Sequence, residues 1–342
     1  GGVQFYFQQN RDLSIKPWLA TMLSEIGTFC RERQQFCHKG KAVPQIALLF
    51  PTESLRKNST RPYSNSTGSI EGSLYMVLDG QYPVEILMEH HLRGNMDKYP
   101  LIIIPECNYL DADFIEELRR YVREGGNLLV TGAEAAELFK DELGIKSLEK
   151  EDTDQRFIAA AGRIGAVRSP YARVELMPDA EILSTFYLES DFRSKGDIIA
   201  SSVKNFGKGK ISAIYFNAGS AYLGYKSHIL RDYVSNQISV LFPGQTVKVS
   251  GSHLVHVVLT RLNDKLYVNL INAAGDHNGK ATIGYDEVPS LENIEVRINT
   301  GSRPKKIILQ PEGRELTPDY ENGVSHVVVP SLHIHSILEV IM

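Results

Sequence analysis

Glu53, Glu106 and Glu134 each follow an apolar run that reads as a β-strand, and carboxylates gathered at strand ends could share acid–base work. The alternative is that polar residues simply fill strand-end loops, and that Glu134, in the first turn of the next helix, suits the helix dipole. No His, Cys or Ser stands beside them at a nucleophile spacing, which favours that alternative. The segment Leu128 to Ala136 has the strand-turn-helix pattern of a nucleophile elbow, but Gly132 and Ala133 occupy the position of attack. Neither side chain can form an acyl intermediate, so amidase or thiol-hydrolase chemistry is excluded at this elbow. Cys107 follows the preceding strand without a supporting His and reads as a packed thiol.

Other reactive patterns are incomplete. His90-His91, His253 with His256, and His333 with His335 are the histidine groups. Only the i, i+2 pair His333 and His335 is expected to share a strand face, and no third ligand lies near it, so no metal is expected. Cys30 and Cys37 lie seven apart on one helix, roughly 10 Å along its axis, too far for a disulfide. Asn205 to Lys210 has glycines but not the spacing of a phosphate loop or dinucleotide fingerprint, so no nucleotide cofactor is expected.

These residues must be positioned by a chain of 342 residues, long enough for two or three domains. Its 37 Lys and Arg against 41 Asp and Glu, spread evenly to a net charge of −4, provide no basic stripe for nucleic acid. The longest apolar runs, Ile46 to Phe50 and Leu101 to Ile104, stop at Pro51 and Pro105, far short of the ~18 residues of a membrane helix, so membrane insertion is not expected. The chain opens Gly1-Gly2-Val3 without Met, a charged n-region or an apolar h-region; it reads as a chain from which something preceding was removed.

Val3 to Phe7 reads as a strand leading into the polar Gln8 to Asp12, and Pro17 to His38 as a helix with an apolar stripe running from Trp18 through Ile26 to Cys37. From Ala42, strands at 45–50, 84–88, 101–104 and 127–131 alternate with helices at 70–78, 112–123 and 133–143. This pattern predicts a doubly wound, flavodoxin-like α/β domain. Residues 146–196 read as an insertion or edge elaboration with short β pieces at 156–160 and 172–176. Strands at 198–203 and 211–216 then flank a Gly-rich hairpin turn, and a helix over 221–241 closes the domain. Beyond Thr246, seven short strands are separated by turns at Asn263-Asp264, Asn278-Gly279, Gly301-Ser302, Pro311 to Gly313 and Asn322-Gly323, which predicts an antiparallel β-sandwich.

The order of elements, with Gln9-Asn10-Arg11-Asp12, Arg31 to Gln34, Val43 to Ala47, Val84 to Leu87 with His90-His91, Tyr99 to Glu106 and Gly125 to Leu129, resembles the carboxy-terminal part of multidomain glycoside hydrolases. It is similar to β-galactosidases whose catalytic barrel is followed by a class I glutamine-amidotransferase-like trimerisation domain and a β-sandwich. The resemblance implies three regions: 1–41 as the last strand and helix of a barrel, 42–244 as the amidotransferase-like domain, and 245–342 as the sandwich. It implies that Asn10, Arg11 and Asp12 contact a carbohydrate substrate in an intact parent. A glycosidase needs two carboxylates about 5 to 10 Å apart, and Asp12 alone does not supply them, so no catalytic residue is carried over. The expectation is a non-catalytic accessory region, homo-oligomeric, from an exported, periplasmic or cytoplasmic enzyme. Two rivals remain: a hydrolase using the Glu53, Glu106, Glu134 crevice, and a carbohydrate-binding sandwich using Tyr267, Tyr285 or Tyr320 as stacking platforms.

Overall fold

The computed structural model describes residues 17–59, 67–275 and 287–342. The expected strand at 3–7, residues Asn10, Arg11 and Asp12, and the strand at 280–285 with Tyr285 lie outside the described residues. Two compact units are present. One joins helix α1 (Pro17–Cys37) and the short strand β1 (Lys41–Ala42) to Thr246–Met342, and the other runs from Pro44 to Gln245.

The second unit is built on a nine-stranded sheet. Its parallel part contains β2 (Ile46–Phe50), β3 (Val84–Met88), β4 (Leu101–Ile104) and β5 (Asn127–Thr131), in the order β3-β2-β4-β5. Helices α2 (Thr52–Asn58), α3 (Gly68–Asp79), α4 (Glu89–Leu92), α5 (Ala112–Glu124) and α6 (Ala133–Leu138) connect these strands or follow them. All four residues of β4 are buried, because alternate side chains enter opposite layers: Leu101 and Ile103 meet Ile70 and Met76 of α3, whereas Ile102 and Ile104 meet Phe114 and Leu118 of α5.

Residues 145–206 extend this same sheet. Strands β6 (Ile145–Ala160) and β7 (Arg163–Leu176) form a long hairpin through Ala161 and Gly162, both at positive φ, and β8 (Glu181–Tyr187) and β9 (Lys195–Phe206) link it to β10 (Gly209–Ile214). The expected short pieces at 156–160 and 172–176 are the ends of these two long strands. The first part of β6 carries no apolar alternation that would mark it as strand, because Glu149 and Lys150, like Asp152 to Gln155, are exposed. β10 runs parallel to β5 and antiparallel to β9. The helix expected over 221–241 is two helices, α7 (Ala218–Tyr225) and α8 (His228–Leu241). Lys226 breaks it with a left-handed φ of 44°, and the Ser227 hydroxyl caps α8 by accepting the Leu230 N–H at 3.4 Å. The helix expected over 133–143 likewise stops at Leu138.

The first unit is a two-sheet sandwich. Strands β11 (Val247–Ser250), β12 (Val255–Leu262), β13 (Lys265–Asn272), β14 (Leu291–Asn299), β15 (Lys306–Gln310), β16 (Arg314–Leu316), β17 (Asp319–Glu321), β18 (Val324–Leu332) and β19 (His335–Ile341) divide into β1-β12-β13-β19-β15-β16 and β11-β14-β18-β17. Asn263-Asp264 and Asn322-Gly323 have positive φ at both positions, the geometry that two-residue hairpin turns need. Alternate residues Val255, Val257 and Leu259 of β12 and Leu266, Val268 and Leu270 of β13 fill the core.

Helix α1 packs on the outer face of the first sheet. Phe36 sits against the Tyr267 ring at 6.3 Å, Phe29 against His335 at 6.5 Å, and Arg33 Nη2 donates to the His335 carbonyl at 3.2 Å. Cys37 Sγ donates to Asn269 Oδ1 at 3.4 Å, and that oxygen also lies 3.2 Å from His335 Nε2. Burial first, and then the Arg33 charge, lower the His335 pKa from 6.5 to about 4. The unfolded chain therefore binds a proton at this side chain that the folded chain refuses between pH 6.5 and 4, so this contribution is full above pH 6.5 and is lost as the pH falls toward 4. The loss is on the order of 3 kcal/mol. Urea unfolding at neutral and acid pH is expected to show it, and the His335→Gln variant to lack that part of the pH dependence; identical profiles for both proteins would refute the assignment.

Candidate functional site

The carboxyl ends of the parallel strands enclose a crevice of about 270 Å³. Pro51, Ser54, Leu55 and Asn58 enter it from the connection after β2, Glu106, Cys107 and Asn108 from the end of β4, and Gly132 and Glu134 from the end of β5. Asn217, at the N-terminus of α7, and Ser69 of α3 complete the wall.

The three glutamates expected there do not converge. Glu106 and Glu134 line the crevice, but Glu53 does not; it pairs with Arg56 at 2.8 Å. The Glu53 backbone N–H donates to Glu89 Oε1 at 3.2 Å, and Thr52 Oγ1 donates to Glu89 Oε2 at 2.5 Å. Glu89 is thus a buried carboxylate that holds the first turn of α2. It directly follows β3, so it holds the same strand-end position as the other three, and its side chain is committed to α2.

Glu106 is occupied. Its Oε1 accepts the Gly219 N–H at 2.7 Å and the Ser220 N–H at 3.2 Å, and its Oε2 accepts the Ser220 hydroxyl. These groups open α7, so the carboxylate acts as a helix cap supplied from 113 residues away. Burial pushes its pKa up, while the donors of Ser220 and Gly219 work against the rise.

A side chain at the elbow glycine would be strained. Gly132 has φ 93°, and a Cβ there would lie 2.9 Å from Asn217 Oδ1 and 3.0 Å from Glu106 Cγ. Cys107 is buried, and burial, followed by the Glu89 charge, pushes its thiol up to about 12. It has essentially no thiolate at neutral pH, in keeping with a packed cysteine.

What the crevice does offer is hydrogen-bonding capacity. Asn108 Oδ1 accepts from Asn58 Nδ2 at 2.8 Å and Ser54 Oγ at 3.1 Å, and Asn108 Nδ2 donates back to Asn58 Oδ1 at 3.2 Å. Glu134 is exposed and has no hydrogen-bond or ion-pair partner among the described residues.

The remaining expectations fall elsewhere. His333 precedes β19 and is exposed, whereas His335 is half-buried under α1, so they do not present one ligand face. No group of three or more His, Cys, Asp or Glu among the described residues could hold a metal. Tyr267 is buried, its hydroxyl 3.4 Å from Glu339 Oε1, and cannot be a stacking platform. Tyr320 is half-buried and donates to the Gly301 carbonyl at 3.2 Å. No helix among the described residues is long and apolar enough to cross a membrane.

No family model matches the chain, and no curated protein matches its sequence. Solved structures do match. The alpha-L-fucosidase isoenzyme 2 from Paenibacillus thiaminolyticus superposes with a TM-score of 0.78 at 15% identity, over 98% of this chain and 54% of that one. A GH42 beta-galactosidase from G. stearothermophilus gives 0.65 at 15% identity, over 97% of this chain and 45% of that one. The beta-galactosidase from Bacillus circulans sp. alkalophilus gives 0.62 at 15% identity, over 94% and 45%. The chain spans about half the length of these structures, and over that length it has a glycoside-hydrolase-like fold, mixed α/β with a β-rich C-terminal part.

Proposed function

We propose that this chain is a non-catalytic accessory region of a larger carbohydrate-active glycoside hydrolase. The observation that carries the reading is the lopsided structural match: nearly all of this chain aligns with about half of hydrolases of known structure. The elbow without a nucleophile and the occupied Glu106 support it, because among the described residues of the crevice they leave neither an attacking side chain at the elbow nor a free carboxylate pair. The α/β unit is read as flavodoxin-like and related to class I glutamine amidotransferases. The order of its parallel strands, second-first-third-fourth with β10 added beside the fourth, supports that reading.

In this reading α1 is the last helix of a barrel, and Asn10, Arg11 and Asp12 belong to the substrate face of the intact enzyme. One apolar stripe runs along α1; its C-terminal part is covered by the sandwich, while Met22 remains 42% exposed, with Leu23 and Ile26 half-buried beside it on the stripe. A barrel would cover that overhang. The α/β unit would then serve subunit contact in a homo-oligomer, the role of a trimerisation domain, with the sandwich as a terminal cap.

A panel of aryl glycosides tests the reading. This chain is expected to hydrolyse none above background, and a parent chain extended at the amino terminus to hydrolyse at least one. Turnover by this chain alone, lost on substitution of Glu134, would make the crevice an active site and overturn the proposal.

A further inference from the structure

We propose that the crevice at the strand ends is a binding site for a neutral polyhydroxylated molecule of monosaccharide size. Its position is the first reason. The chain leaves β2 toward α2 and α3, and α3 packs on one face of the sheet; it leaves β4 toward α5, which packs on the other. The two connections diverge, and in an open α/β sheet ligands enter the cleft between such diverging connections. Ser54 and Asn58 line it from one side and Asn108 from the other.

Its chemistry is the second reason. The reciprocal Asn58–Asn108 pair leaves one N–H of Asn108 and a carbonyl lone pair of Asn58 unused by the contacts above. The Glu134 carboxylate, without a partner among the described residues, adds two acceptor oxygens. Planar amides and carboxylates that accept and donate in pairs match adjacent hydroxyl groups on a sugar ring. Charge narrows the class further: among the described residues the wall carries two glutamates and no Lys, Arg or His, which disfavours phosphates and carboxylates. Size narrows it again, since about 270 Å³ lies below the roughly 300–1,000 Å³ of drug-sized sites and suits one small ring. With no nucleophile at the elbow, the site binds and does not turn over.

The choice of sugars rests on the accessory-region reading; the site itself does not. The test titrates the full chain with D-galactose and with L-fucose, following the side-chain amide NMR signals of Asn58 and Asn108. Glycerol and inorganic phosphate are the controls. A saturable shift with a Kd on the order of millimolar is expected for at least one sugar. It should weaken about tenfold in Asn108→Ala and in Glu134→Ala, the loss of one good hydrogen bond. Both side chains are exposed, so an unchanged melting temperature checks that these variants fold. No saturable shift with either sugar, equal binding of glycerol, or tighter binding of phosphate would overturn the site. Absence of sugar binding while the extended parent hydrolyses glycosides defeats this proposal alone; sugar binding with an inactive parent defeats only the accessory reading.

Discussion

Replacing Gly72 by alanine is expected to destabilise the α/β unit by about 4 kcal/mol. A Cβ at Gly72 of α3 would lie 1.9 Å from the Gly219 carbonyl oxygen and 2.7 Å from its carbon, so it would collide with the backbone of α7. The approach is reciprocal: a Cβ at Gly219 would lie 2.3 Å from the Ser69 carbonyl oxygen. No rotamer change relieves a clash with main chain, so the helices must separate, and Ala221 and Tyr222 lose their packing with Ile70 and Met76. The intrinsic gain of alanine over glycine inside a helix is only about 1 kcal/mol and does not offset this. Gly224, also in α7, is the control, because a Cβ there meets nothing within 4 Å. Urea unfolding should rank Gly72→Ala far below the parent and Gly224→Ala equal to it or above; equal losses would show that the close helix contact is not what matters.

The second large effect concerns Glu106. Glu106→Ala removes the acceptor for the Gly219 and Ser220 N–H groups and the Ser220 hydroxyl, and is expected to lower stability by about 3 kcal/mol. Glu106→Gln keeps the volume but turns an NH2 toward donors, for a loss of about 2 kcal/mol. The pH dependence has a definite sign. Burial raises the folded pKa of this carboxyl above 4.5, so the folded state holds the proton longer than the unfolded one, and the wild type loses stability as pH rises through that elevated value. Glutamine lacks this titration, so the deficit of Glu106→Gln should narrow from acid to neutral pH. A deficit that widens instead would mean that the helix-terminal donors outweigh burial.

Both predictions concern the same helix end, and they explain how far the site was legible. The glycine at the elbow and the absence of a histidine beside it in sequence could be read directly, whereas the positive φ of Gly132 is visible only in the structure. That Glu106 would be spent on α7 could not be read, because its partners are 113 and 114 residues away and meet it only when Gly72 and Gly219 let two helix backbones touch. The displaced Glu53 and the overlooked Glu89 share this cause. Position at a strand end identifies candidates, whereas the direction of each side chain follows from the helix turn it must cap.

The same division runs through the fold. By itself the sequence determined the buried central strand Leu101–Ile104, the hairpin turns at Asn263-Asp264 and Asn322-Gly323, and the amphipathic helix α1, because continuous apolar runs, residues tolerant of positive φ and a three-to-four spacing are local signals. Only the tertiary structure decided that α1 lies against the sheet carrying Tyr267 and His335, that β6 and β7 continue a sheet begun a hundred residues earlier, and which polar groups share the crevice. Periodicity reports which face of an element is buried, but not which surface buries it; that choice is made by strand register and helix contact between distant segments.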